Sequence, residues 1–263
     1  FRIRTAEGYI AWIPTSSVVP MTAAEAKDYS KKHKVIFTSD FGKATSAANP
    51  TSQRISDLVY GDILITNSKT LAFEGKTYIE ISYPDGRIGY IDAADAMPLA
   101  DWYKAKSQPT TTTILESAKT MMGLPYLWGG TSSKGVDCSG FTKTAYFMNG
   151  FIIPRDASQQ VNHGDVIDIL DAEGNFDPKK ALANLKPADL LFFAAGKSAN
   201  PNARVTHVAL YLGNGEFIHS AGTVRINSML TEASNYDDFQ TRTVVAARRY
   251  LGSDDAAIQE VKN

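Results

Sequence analysis

The stretch Tyr126-Leu-Trp128-Gly-Gly-Thr-Ser-Ser-Lys-Gly-Val-Asp137-Cys138-Ser139-Gly140-Phe141 carries the only cysteine of a 263-residue chain, where a glycine-rich loop gives way to a helical pattern. One thiol cannot close an internal disulfide. From Ser139 to Met148 apolar residues recur at helical spacing, as Phe141, Ala145 and Met148, and Gly150 stands where a C-cap is expected. Cys138 is therefore expected in the first turn, where free backbone N–H groups and the helix dipole favour the nucleophilic thiolate. Asp137 is the expected N-cap. Gly129, Gly130, Gly135 and Gly140 are expected to let a substrate backbone approach the sulfur. A buried structural cysteine is the competing reading, because free cysteines are commonly buried. The choice falls to whether a base accompanies the thiol.

Only four histidines are available, at 33, 163, 207 and 219. Two lie in a segment that reads as a β-hairpin: Val205-Thr-His207-Val-Ala-Leu-Tyr-Leu212, then Gly213-Asn-Gly215, then Glu216-Phe-Ile-His219-Ser220. A two-residue Asn214-Gly215 turn pairs Gly213 with Glu216 and puts His219 on the face opposite His207. A three-residue loop pairs Leu212 with Glu216 instead, sets His219 across from Ala209, and brings both imidazoles to one face. That loop asks for glycine at its last position, and Gly215 is there. The rings are then diagonal neighbours roughly 7 Å apart at Cβ. Cys138 as nucleophile, His207 as base and His219 as the group that orients the base make a complete acyl-transfer constellation.

At these residues the sequence resembles the NlpC/P60 family of cell-wall cysteine peptidases. The matching stretches are Pro125-Tyr126-Leu-Trp128-Gly-Gly, Asp137-Cys138-Ser139-Gly140-Phe141, Pro154-Arg155-Asp156, Leu185-Lys-Pro187-Ala188-Asp189-Leu190, Thr206-His207-Val208-Ala209 and Phe217-Ile-His219-Ser220, in the family's order. The resemblance covers roughly residues 113 to 250. It implies an α+β, papain-like catalytic domain, an antiparallel sheet packed with helices, with Cys138, His207 and His219 as catalytic residues. Two departures stand out. Pro187-Ala188-Asp189 replaces the family's usual Pro-Gly-Asp, and Gly164 to Asn184 reads as an insertion.

Lysines and arginines number 27 against 28 aspartates and glutamates, so no basic field for nucleic acid exists. No apolar run approaches a membrane span, and neither metal nor other cofactor is expected. Gly8-Tyr-Ile10-Ala-Trp12-Ile13 through Met21 aligns with Gly86-Arg-Ile88-Gly-Tyr90-Ile91 through Leu99 at a constant offset of 78, which reads as two related β-units. Between them Thr22-Ala-Ala-Glu25 is a capping box for a short helix, with His33 at its end as a structural or surface residue. Five short strands over residues 34 to 99 suggest a small barrel, similar to bacterial SH3-like modules. The expected organisation is 1–33, the end of a first SH3-like module with a linking helix; 34–103, a second module; 104–112, a polar linker; and 113–263, the catalytic domain. Thr113 to Glu116 reads as a second capping box, His163 as solvent-exposed without a partner, Arg242 to Arg249 as a final strand, and the tail from Gly252 as frayed.

The resemblance further implies cleavage of peptidoglycan stem peptides after γ-D-glutamate, before Lys or diaminopimelate. Members that resemble this chain most closely, with SH3-like modules ahead of the catalytic unit and an Arg-Asp pair after the cysteine helix, here Arg155-Asp156, act on free peptides beginning with L-Ala. A free ammonium needs an anion in a restricted pocket, and Asp156 is the first choice. Ser158 and Tyr126 are assigned as hydrogen-bonding partners, Trp128 as an apolar wall, Tyr9 as the far end of the groove, and Asp137, Ser139 and Arg155 as further substrate contacts. The chain is expected to act as a monomer on a peptidoglycan-derived peptide outside the cytoplasm, a cytoplasmic location being the alternative. The competing functions are a general wall endopeptidase on intact peptidoglycan, an amidase or acyltransferase on the same core, and a non-catalytic wall-binding adaptor.

Overall fold

The computed structural model describes residues 1–106, 108–196, 204–237 and 242–261. The chain divides into two compact units. One comprises Phe1–Thr5 and Ile10–Lys106, and the other Ala6–Tyr9 together with the chain from 107 to Val261.

The first unit is strand-rich. Seven strands lie in one sheet in the order Arg54–Val59, Phe41–Thr45, Ile88–Asp92, Lys76–Ser82, Ile63–Phe73, Lys34–Phe37, Ala96–Pro98. Val35, Phe37, Ala44, Leu58, Leu64, Ile81 and Ile91 fill its core. Phe41–Thr45 is a strand the sequence pattern did not announce, since Phe41-Gly-Lys-Ala-Thr lacks large alternating apolar residues. Its Gly42 is needed because a Cβ there would come 2.6 Å from the Phe37 ring. The Thr22–Glu25 capping box forms as expected and starts the helix Ala23–Lys31, with His33 exposed just beyond it. The expected echo at 78 residues extends to backbone conformation: Gly8 and Gly86 have φ of 84° and 87°, and the 3-10 turns Thr15–Ser17 and Ala93–Asp95 occupy equivalent places.

The second unit is built on a six-stranded sheet, β1 (Asp165–Ile167), β2 (Leu190–Ala195), β3 (Val205–Gly213), β4 (Glu216–Ala221), β5 (Thr223–Ser228) and β6 (Arg242–Arg249), in the order β1-β6-β2-β3-β4-β5. Every neighbouring pair is antiparallel. Helices α1 (Thr111–Thr120) and α2 (Cys138–Phe147) pack on one face over Leu190, Phe192, Val208, Leu210 and Ile218. The opposite face carries Leu191, Phe193, Ala209, Tyr211 and Phe217 under the short helix α4 (Pro178–Asn184), which follows α3 (Ala157–Gln160) in the chain. This alternation along β2 and β3 is why both strands read as nearly continuous apolar runs: each is covered on both sides. The segment Gly164 to Asn184 therefore supplies edge strand β1 and a covering helix.

Several local expectations give way to the structure. Helix α1 starts three residues early, capped by Thr110 in a reciprocal bond with Thr113 rather than by Thr113 with Glu116. His163 is not free: its ring Nδ1–H donates to the Asp255 carboxylate at 3.2 Å. The tail is docked rather than frayed, with Gln259–Glu260 pairing Phe151–Ile152 and Val261 N–H donating to the Gly150 carbonyl at 2.7 Å. Ala188 takes φ of 73°, the left-handed conformation that glycine adopts freely, and is held there by its N–H to Tyr211 at 2.8 Å and its carbonyl to the Tyr146 hydroxyl at 3.1 Å.

Candidate active site

Asp137 caps α2 by accepting from the Gly140 N–H at 2.7 Å, and Cys138 is the first residue of the helix. Eight of the ten helix residues are buried, so the sulfur is carried on an element that cannot shift without opening the core. The loop before it is pinned to the hairpin of β4 and β5: Tyr126 N–H donates to Gly222 and the Ser220 hydroxyl to the Val136 carbonyl, at 2.9 and 2.8 Å. Here the glycines do something other than expected. A Cβ on Gly140 would lie 1.9 Å from the Gly130 carbonyl, and one on Gly130 2.5 Å from that of Gly135. Gly130, Gly135 and Gly140 thus let the protein's own backbone close around the helix start, and Gly129 alone of the four faces the cleft.

The hairpin joins β3 and β4 through a compromise between the two anticipated turns. Asn214 and Gly215, with φ of 52° and 84°, form a two-residue turn that pairs Gly213 with Glu216. A bulge between Tyr211 and Gly213 then absorbs one residue, so Tyr211 faces Phe217 and Leu210 faces Ile218, the register of the longer loop. The two-residue turn matches strand twist, and the bulge resets the faces. His207 and His219 consequently share a face, with His207 Nε2 and His219 Nδ1 2.9 Å apart. Phe193 stands edge-on to His207 and Phe217 to His219, with ring centroids 5.3 and 5.1 Å apart.

Past Leu210↔Ile218 the backbone of β3 turns to the thiol. Cys138 Sγ–H donates to the Thr206 carbonyl at 3.9 Å, and the Val208 N–H points back at the sulfur. These two groups flank His207 along the chain, so the nucleophile packs against the backbone of the segment that carries the base. Its Nδ1 is the ring nitrogen that His219 does not engage.

The electrostatics differ from the expected thiolate. Burial pushes the Cys138 thiol up, and the Asp137 charge adds to this, while the Val208, Ser139 and Cys138 amides work the other way. Burial likewise drives His207 well below the usual imidazole range, helped by His219, Arg242 and Arg225. His219 is lowered to about 4, by burial first and then by Arg242. The resting pair is thus neutral thiol and neutral imidazole. The helix start is outweighed because a cysteine only 7 % exposed loses more hydration than the dipole returns.

Around the sulfur lies a cleft of about 650 Å³ lined by Tyr9, Tyr126, Trp128, Asp137, Ser139, Arg155, Asp156 and Ser158. Arg155 is committed to Asp137 through two hydrogen bonds, of 3.1 and 2.7 Å, and also reaches the Ser139 hydroxyl at 3.1 Å. Burial alone would raise the Asp137 carboxyl, but Arg155 and the Gly140 and Gly129 amides hold it lowered. The Asp156 side chain stays 42 % exposed, 3.9 Å from Arg155, and the Tyr9 hydroxyl bonds to it. The Asp156 charge is the main reason the Tyr9 phenol is raised. Sequence reasoning missed Arg204, Val205 and Thr206 in the same lining, although strand β3 begins at Val205 and leads straight to His207. It also missed Asn227, whose amide oxygen meets His219 Nε2 at 3.0 Å. Among the described residues no three His, Cys, Asp or Glu side chains converge as a metal site requires, and no helix is long and apolar enough to cross a membrane.

The sequence pattern of the NlpC/P60 family matches residues 123–248, the span that holds Cys138, both histidines and the cleft residues from Tyr126 onward. These residues form an NlpC/P60 domain. The chain is 29% identical over 222 residues to a gamma-D-glutamyl-L-lysine dipeptidyl-peptidase of Bacillus cereus, an alignment covering 82% of this chain and 58% of that protein. It is 26% identical to dipeptidyl-peptidase 6 of Lysinibacillus sphaericus, over 93% of this chain and 82% of the relative. An NlpC/P60 family protein from Bacillus cereus superposes with a TM-score of 0.66 at 26% identity, covering 94% of this chain and 72% of that one. The chain thus spans little more than half the length of the Bacillus cereus peptidase.

Proposed function

We propose that this protein is a cysteine peptidase that hydrolyses the γ-D-Glu–L-Lys or γ-D-Glu–diaminopimelate bond of peptidoglycan stem peptides bearing a free N-terminal L-Ala. One observation carries the reading: Cys138 at a helix start lies against the Thr206 and Val208 backbone groups that flank His207, whose Nε2 is held by a second imidazole at 2.9 Å. The names of the relatives supply the substrate class. Asp156 supplies the anion for the ammonium, with the Tyr9 hydroxyl beside it.

Because both partners rest neutral, the proton leaves sulfur as the bond forms. His207 Nδ1 takes the Sγ proton while sulfur attacks the γ-carbonyl of D-Glu. The oxyanion meets the N–H groups of Cys138 and Ser139 at the helix start. Collapse breaks the C–N bond, and His207 returns the proton to the departing amine of the diamino acid. Water then gives its proton to His207 and its oxygen to the thioester, releasing L-Ala-γ-D-Glu and the thiol. Residues 34–103 are read as an SH3-like module and residues 1–33 as the end of another with a linking helix, and the enzyme as one that works outside the cytoplasm.

Mass spectrometry of products from L-Ala-γ-D-Glu-L-Lys and its N-acetyl form tests the assignment. The free peptide is expected to yield L-Ala-γ-D-Glu and lysine, the acetylated one at least about 100-fold more slowly, and Cys138→Ala neither. Equal rates on the two peptides, or on intact wall, would leave a general wall hydrolase.

A further inference from the structure

Base catalysis by His207 requires its Nδ1 to be an acceptor, so the single ring proton of the neutral imidazole must sit on Nε2. The His207–His219 bond alone does not decide this. One proton lies between His207 Nε2 and His219 Nδ1, and it can belong to either ring. If His219 carries it, His207 must hold its own proton on Nδ1, the nitrogen left for the thiol, and is useless as a base.

The tie is broken two bonds away. Asn227 lies on β5 opposite Phe217, diagonal to His219, whose direct partner is Arg225. The Asn227 Nδ2 group donates to the Asn235 carbonyl at 3.0 Å. A carbonyl can only accept, so the amide has one orientation, with Oδ1 turned to His219 Nε2 at 3.0 Å. An amide oxygen can only accept as well, which places the His219 proton on Nε2 and leaves its Nδ1 a bare lone pair. His207 must then donate from Nε2, and its Nδ1 is the free acceptor. We propose that Asn227 is a positioning residue that sets the tautomer of both histidines, and through them makes His207 Nδ1 the acceptor for the Cys138 proton.

The choice of an amide rather than a carboxylate also fits the surroundings. Arg242 and Arg225 bear on both rings and Asp237 on His219, with Arg242 and Asp237 paired to each other. A neutral acceptor leaves that balance undisturbed and the imidazoles uncharged.

The proposal rests on the reading of Cys138 and His207 as nucleophile and base, but its test needs no substrate. In ¹⁵N-histidine-labelled protein at neutral pH, both His207 and His219 are expected to show a protonated Nε2 and an unprotonated Nδ1. In Asn227→Leu, which removes the acceptor at similar size, His219 is expected to populate the Nδ1–H form and His207 to follow. Peptide cleavage should fall by about 100-fold or more, as wrong-tautomer variants of other triads do. Asn227→Asp keeps an acceptor toward His219 but loses the donor to the Asn235 carbonyl and adds a charge beside the rings, so it is expected to keep the Nε2–H form of both histidines while raising the pH at which His219 takes a second proton. A protonated His207 Nδ1 in the wild-type spectrum overturns the proposal at once, even if Asn227→Leu fails to fold. So does an Asn227→Leu protein with unchanged histidine signals. Should the peptide not be cleaved at all while the tautomers behave as described, the substrate assignment fails and the role of Asn227 stands.

Discussion

Removing the charge of Asp156 should weaken recognition of the substrate ammonium by an amount the structure bounds. Two unit charges about 4 Å apart attract by about 1 kcal/mol in water and about 4 kcal/mol at the effective dielectric of a protein surface. With its side chain 42 % exposed and the Arg155 guanidinium 3.9 Å away, Asp156 sits between those limits. The expected loss for Asp156→Asn is about 2 kcal/mol, or roughly 30-fold in kcat/KM. Asparagine preserves shape and the backbone bond of residue 156 to Gln159, so the fold should not change. The assay is chromatographic release of lysine from L-Ala-γ-D-Glu-L-Lys and from its propionyl analogue, which lacks only the amine. Wild type should lose roughly 30-fold on the analogue, and Asp156→Asn roughly 30-fold on the natural peptide. The variant acting on the analogue should lose little more, because the pair has already been broken. Losses that multiply instead, so that the variant falls equally on both peptides, would show that Asp156 does not meet the ammonium.

Three other outcomes follow from the site. Alkylation of Cys138 by iodoacetamide should still be accelerating at about pH 9, since burial raises the thiol; a plateau below about pH 7 would reveal a preformed ion pair. The buried histidines make the fold acid-sensitive. With His219 at about 4 when folded and about 6.5 when unfolded, the unfolded chain binds more protons between those values. Stability is therefore intact above about pH 6.5 and falls toward pH 4, by roughly 3 kcal/mol from this residue. Urea midpoints should show the fall, and it should be shallower in His219→Gln; parallel profiles would count against the assignment. Gly140→Ala should lose more than about 3 kcal/mol and all activity, because the new Cβ has the Gly130 carbonyl 1.9 Å away. A melting temperature equal to wild type would refute that packing argument.

Much of this site was legible in the chain because it depends on local chemistry. The Asp137 cap, the position of Cys138 in the first turn and the strand Arg242–Arg249 follow from residue types and spacing. The shared face of the histidines was also within reach, though by the wrong turn: a bulge at Leu212 does what a longer loop would have done, and nothing in Tyr-Leu-Gly announces it. What escaped depends on neighbours far along the chain. The proton state of Cys138 turns on how much of β3 covers it, the partner of His163 lies 92 residues away, and three glycines that read as substrate clearance serve internal contacts. Asn227 gave no signal because an asparagine in a strand looks like any polar residue until its amide is seen between two carbonyl-selected partners.

The neutral thiol has a consequence for the lifetime of the enzyme. Peroxides and disulfides attack or are attacked by thiolates, so a sulfur kept protonated and covered between turnovers is a slow target for irreversible oxidation. No second thiol lies within these 263 residues to reverse a sulfenic acid by an internal disulfide. Holding the proton until a carbonyl arrives is then a form of self-protection, and it sets chemical durability, as much as speed, among the properties this burial selects.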